Sequence, residues 1–124
     1  MRDAAKPKNG PYKTHFKDGS LSISGTYSNG GRTGKWKYFL LNGRLKAVGK
    51  YENDVMVGKW TWHRENGELM QTGSFTDGKR SGVWTRYRAD GSLHDQGNYA
   101  AEKKVGEWRT FDAKGDLIKT TRFR

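Results

Sequence analysis

TGKWKYFLLNGRLKAVGKYEND, residues 33–54, decides the fold. It reads as a strand carrying Gly34, Trp36 and Tyr38, a turn at Asn42-Gly43, and a second strand from Leu45 to Tyr51. Asn-Gly between two such runs is the strongest short-range hairpin signal, because both residues tolerate positive φ. Side chains alternate along a strand, so Leu45, Ala47, Gly49 and Tyr51 are expected on one face and Lys46, Val48, Lys50 and Glu52 on the other.

The unit returns every 24 residues. Gly34, Gly58, Gly82 and Gly106 keep that spacing, and Trp36, Trp60, Trp84 and Trp108 follow each by two. Gly25, Gly49, Gly73 and Gly97 each stand two residues before Tyr27, Tyr51, Phe75 and Tyr99. Outward from these copies, Gly10 and Tyr12 hold the places of Gly34 and Trp36, while Thr121 replaces the glycine before Phe123. A fixed period of this length marks a stacked-repeat architecture. The expectation is an all-β fold: an elongated, twisted antiparallel meander of about ten strands built from 24-residue hairpins. Residues 9–124 form the repeat domain, and residues 1–8 are expected as a flexible tail. Each recurring glycine is expected to leave room for a neighbouring Trp ring.

Composition alone points elsewhere. An apolar content of 32% and a net charge of +11 lean toward disorder. Five Trp, six Tyr and five Phe at fixed spacing overrule that reading. There is no Cys, so thiol chemistry and disulfides are excluded. The first eight residues lack the apolar stretch of a secretory leader, which makes the cytoplasm the expected compartment; the periplasm is the alternative if a leader has been removed.

Nothing in the sequence assembles a catalytic centre. G-x-S-x-G, P-loop and His-Glu-x-x-His patterns are missing. His15 and His63 are two periods apart, about 19 Å across a sheet, too far to share a metal. Most of the acidic residues fall at turns, where Asp serves backbone geometry. The expectation is a chain that is not an enzyme, with no catalytic residue, cofactor or metal.

Two sets of residues are candidates for partner binding. Lys35, Lys37, Lys46, Lys50 and Lys59 fall on the face opposite the Trp stripe, forming a basic patch or a solvated face that keeps the sheet soluble. Tyr38, Trp62 and Arg86 occupy one position of the repeat on the Trp face, where Arg among aromatics is a common interface anchor. Trp36, Trp60, Trp84 and Trp108 recur identically and are read as structural. Specificity in repeat proteins sits at positions that vary between copies. One such set is Tyr38, Trp62, Arg86 and Thr110; another is Ala47, Gln71, Asp95 and Lys119.

The recurring unit, seen again in VGKWTWHRENGELMQTGSFTDG at 57–78 and SGVWTRYRADGSLHDQGNYAAE at 81–102, resembles MORN repeats. It is most similar to the MORN-repeat-variant family of YwqK-like antitoxins and immunity proteins. That resemblance covers nearly the whole chain. It implies an elongated meander, no catalytic residues, and function by binding. The first expectation is an antitoxin or immunity protein that occludes a cognate toxin or effector; the basic charge makes an acidic one the expected partner. The alternative is a MORN-type module on an anionic phospholipid surface or a scaffold. Nucleic acid is the least favoured partner, because the Trp rings are expected to be packed. A monomer or a homodimer is expected, since terminal Lys and Arg discourage open-ended edge pairing.

Overall fold

The computed structural model describes residues 5–124; residues 1–4 of the expected tail lie outside the described residues. Ten strands follow in order: β1 Gly10–His15, β2 Leu21–Ser28, β3 Gly31–Phe39, β4 Leu45–Glu52, β5 Val55–His63, β6 Leu69–Thr76, β7 Lys79–Tyr87, β8 Leu93–Ala100, β9 Lys103–Phe111 and β10 Leu117–Phe123. They form one antiparallel sheet in which spatial order equals chain order. Among the described residues there is no helix, and the sheet stays open with β1 and β10 at its edges.

Two kinds of turn alternate along the two edges. Asn29-Gly30, Asn53-Asp54, Asp77-Gly78 and Ala101-Glu102 are two-residue connections with both residues at positive φ. That is the geometry of the type I′ hairpin, whose twist matches that of the strands it joins. Each of these turns also donates a backbone hydrogen bond to the previous unit, from Gly30 N to Lys8 O (2.8 Å), Asp54 N to Arg32 O, Gly78 N to Met56 O and Glu102 N to Arg80 O. This ladder reaches Lys8, inside the segment expected as a tail. On the other edge the Asn-Gly and Asp-Gly pairs sit in longer turns. Leu40 N bonds Arg44 O, and Gly43, at φ +89°, closes the turn onto Leu40 O. The Asn42 side chain accepts from the Arg44 amide at 2.9 Å.

The sheet is not a regular ladder. Between the pairs Val48↔Thr61 and Lys50↔Val57, the three residues Gly58, Lys59 and Trp60 stand opposite Gly49 alone. Gly58, at φ +69°, makes the bend that such a bulge requires. The same irregularity recurs between β2 and β3, β6 and β7, and β8 and β9.

The bulge swings each Trp ring over the glycine of the preceding strand. A Cβ on Gly25, Gly49, Gly73 or Gly97 would lie 1.9–2.2 Å from the ring of Trp36, Trp60, Trp84 or Trp108 respectively. Each indole Nε1 also donates to a backbone carbonyl there, as from Trp60 to Lys50 O at 3.2 Å and Trp84 to Ser74 O at 3.1 Å. Tyr and Phe rings fill the spaces between tryptophans edge-on. Tyr51 stands T-shaped between Trp36 (5.7 Å) and Trp60 (5.1 Å), and Tyr99 between Trp84 (5.7 Å) and Trp108 (5.1 Å). Each such contact contributes about 0.5–1.5 kcal/mol beyond area burial. This single-layer aromatic stripe is the core, with Trp60 only 2% exposed. Thr121, on strand β10 at the edge of the sheet, stands at the place the ring-covered glycines hold in the other units.

Candidate functional site

The two sets of variable positions form one line. Cross-strand pairing runs Ile23, Tyr38, Ala47, Trp62, Gln71, Arg86, Asp95, Thr110 and Lys119, from β2 to β10. Directly paired residues share a face, so this row flanks the aromatic stripe. Its first part is apolar and aromatic. Trp62 stacks on Trp60 at 6.0 Å and approaches Trp84 at 5.6 Å, and the Tyr38 hydroxyl meets that of Tyr51 at 2.8 Å. From Gln71 onward the row is polar.

Arg86, read from sequence as an interface anchor, is exposed and ion-paired to a residue of its own chain. It faces Asp95 directly and binds it through Nε (2.9 Å) and Nη2. Burial pushes the Asp95 carboxyl up, but the hydrogen bond and charge of Arg86 outweigh it, and the carboxyl titrates below its ordinary range. Arg86 still lines a cavity of about 240 Å³ with Gln71, Arg80, Trp84, Asp95, Tyr99, Lys104 and Trp108.

A second feature escaped the sequence reading. Arg32, Met56, Arg80 and Lys104 are spaced by 24 on the edge with the type I′ turns. Arg32 lies 4.2 Å over the Tyr51 ring, donates to its hydroxyl at 3.1 Å and pairs with Asp54 in the turn. Arg80 lies 5.2 Å over Tyr99, donates to its hydroxyl at 3.2 Å and pairs with Glu102 at 2.6 Å. Hydrogen bonds from Arg32 hold the Asp54 carboxyl below its ordinary range. The signal was present in the sequence: an acid stands 22 residues after each Arg, and Met56 is matched with Gly78 instead.

The lysines occupy the opposite face. Lys35 and Lys50 are direct cross-strand partners, and with Lys59 they border a shallow depression of about 480 Å³ floored by Val48 and Gly49. Among the described residues, none of these three is ion-paired. Lys37 pairs with Val48 one row away. Lys46 is exposed and falls at a bulge between Leu45 and Ala47, with no register partner. The candidates therefore divide, with Lys35, Lys37, Lys50 and Lys59 on one face and Tyr38, Trp62 and Arg86 on the other.

His15, His63 and His94 are half-buried, on β1, β5 and β8. Among the described residues, no three His, Cys, Asp or Glu side chains are grouped to hold a metal ion.

One period of this architecture has a known counterpart. Residues 56–77 match the MORN repeat variant. The matched MORN unit begins in β5, crosses β6 and ends in the type I′ turn at Asp77. It contains Trp60 and Gly73, one member each of the recurring Trp and Gly series, and the neighbouring periods repeat its ring-over-glycine packing. No curated protein matches the chain significantly. The match to one MORN-variant unit, in a sheet whose packing residues are constant and whose residues along one row vary, suggests a repeat-based binding or scaffold module.

Proposed function

We propose that this chain is a non-catalytic protein-binding module, and more specifically an antitoxin or immunity protein that neutralises an acidic toxin or effector by covering its active surface. The observation that carries this reading is the single row from Ile23 to Lys119. Invariant Trp and Gly residues hold it in place, and its own residues differ from unit to unit. A net charge of +11 favours an acidic partner, since complementary charge speeds association and selects partners.

Co-expression with the acidic product of a neighbouring gene tests it. The two proteins are expected to co-purify, and the chain is expected to restore growth to cells that express the partner alone. A toxic neighbour that neither binds nor is relieved would end the antitoxin reading.

The lysine face supports a second reading, a module on an anionic phospholipid surface. Directly opposed like charges such as Lys35 and Lys50 cost stability, and a negative surface would relieve them. Sedimentation with acidic vesicles at about 0.15 M salt decides it. Binding lost in Lys35→Glu/Lys50→Glu supports the membrane reading, and absence of binding removes it.

A further inference from the structure

We propose that the depression ringed by Lys35, Lys50 and Lys59 is a docking site for an acidic segment of a protein partner, in which an apolar residue is flanked by aspartate or glutamate. The site lies on the face opposite the variable row and does not depend on what that row binds.

The repeat supplies the comparison. One hollow lies behind Gly49 and another behind Gly97, and the six positions that line them are two periods apart. In the later hollow, of about 320 Å³, Val83, Asn98 and Glu107 hold the places of Lys35, Lys50 and Lys59. Its carboxylate is satisfied within the chain, since Glu107 pairs with Arg109 at 3.1 Å and with Arg122 at 2.6 Å. The hollow behind Gly49, of about 480 Å³, has three cations instead and no carboxylate on its wall. All three lysines are exposed, and Glu52, an acid further along the same face of β4, pairs in register with Val55 and does not line the hollow. Lys35 and Lys50 stand directly opposite one another, an arrangement that costs a sheet stability. Val83 and Asn98, the corresponding pair, carry no such repulsion. The opposed charges thus belong to this hollow and not to the packing of the repeat.

The surroundings select the ligand. An exposed ion pair contributes little by itself, so a partner gains here by presenting several carboxylates together and by touching the floor. That floor, Val48, Gly49 and Thr61, is uncharged, and the lysine stems add methylene surface around it. An apolar side chain fits there, with carboxylates on either side meeting the ammonium groups in charge-assisted hydrogen bonds. Other polyanions fit less well. An anionic bilayer presents a flat field that rewards projecting cations and has nothing to fill a hollow. Single-stranded nucleic acid gains from rings on which bases stack, and no aromatic residue lines this site.

The test uses the whole chain labelled with ¹⁵N and three capped peptides: Glu-Glu-Leu-Glu-Glu, its counterpart with Gln for every Glu, and its counterpart with Ser for Leu. The first is expected to shift the amide signals of Gly49, Lys50 and Thr61, the Gln peptide to bind about tenfold more weakly or not at all, and the Ser peptide several-fold more weakly. Lys35→Val/Lys50→Asn/Lys59→Glu installs residues that the later unit already carries, and is expected to abolish the shifts while leaving the spectrum folded. Lys103→Glu/Lys114→Glu removes the same amount of charge elsewhere, and Thr110→Glu alters the variable row; both are expected to keep the shifts. A silent titration, a response that survives the triple variant, or an equal loss in Lys103→Glu/Lys114→Glu would overturn the proposal. So would phosphatidylserine vesicles that bind through these three lysines while the peptides do not. A retained peptide response in a chain that neutralises no toxin would end the antitoxin reading and leave this site standing.

Discussion

Trp60 covers Gly49, although the strand register pairs Gly49 with Trp36. Gly49, Gly73 and Gly97 therefore each serve two tryptophans, one beside it in the ladder and one across its face, while Gly25 is paired with Tyr12 and covered by Trp36. A Cβ on Gly49 would stand 1.9 Å from the Trp60 ring, with no flexible chain end to yield. Gly49→Ala is expected to destabilise the fold by more than about 2 kcal/mol, as overpacking does. Thr121→Ala, at the equivalent place on edge strand β10, is expected to stay within about 0.5 kcal/mol. Urea denaturation of both variants checks the contrast, and equal costs would show that the ring does not need the space.

The indole of Trp84 contributes more than its bulk. Its Nε1 donates to Ser74 O at 3.1 Å, beside the bulge that opens the ladder. Trp84→Phe keeps a ring over Gly73 but leaves that carbonyl without its donor. A loss of about 1–3 kcal/mol is expected, combining the hydrogen bond with lost ring contact. Denaturation midpoints measure the loss, and amide exchange in β6 and β7 is expected to quicken before exchange in β1 and β2 does.

Acid should weaken the polar half of the row. The Asp95 carboxyl titrates below its ordinary value when folded, so the unfolded chain takes up its proton first as pH falls. Its contribution is complete above the ordinary carboxylate pKa of about 3.9 and fades as pH drops through the lower folded value. Stability measured between about pH 6 and pH 2 should fall less steeply at the acid end in Asp95→Asn than in the parent chain. An unchanged slope would mean that Arg86 and Asp95 do not stabilise one another in solution.

Ala101 and Glu102 form a type I′ turn without glycine or asparagine, at φ +49° and +75°. An alanine in the left-handed region is strained by about 1 kcal/mol. Ala101→Asn restores the residue found at Asn29 and Asn53 in sister turns and should raise stability by about 0.5–1 kcal/mol. Thermal melts are expected to shift upward by several degrees, while Ala101→Val shifts them downward.

The strands, their order and their turns were legible because Trp, Gly and Asn-Gly recur at one spacing. Alternation also placed the lysines opposite the tryptophans. It could not say which glycine each ring covers, because the three-against-one bulge at Gly58 moves the Trp60 ring away from its register partner Gly73 and onto Gly49. Asp95 as the partner of Arg86 was hidden for a related reason: the pairing depends on the register beyond the turn at Gly91, which shifts between Arg86 and Tyr87. The pairs Arg32–Asp54 and Arg80–Glu102 were written in the sequence at a spacing of 22, but only the stacking of successive turns makes that spacing meaningful.

The most direct measurement is calorimetric titration of the co-purified partner against three proteins: the parent chain, Thr110→Glu in the variable row, and Lys35→Glu/Lys50→Glu on the opposite face. The row substitution is expected to weaken binding by about tenfold or more, and the lysine reversal to change chiefly its salt dependence. Full affinity in Thr110→Glu together with lost affinity in the lysine variant would contradict the assignment of partner recognition to the aromatic face.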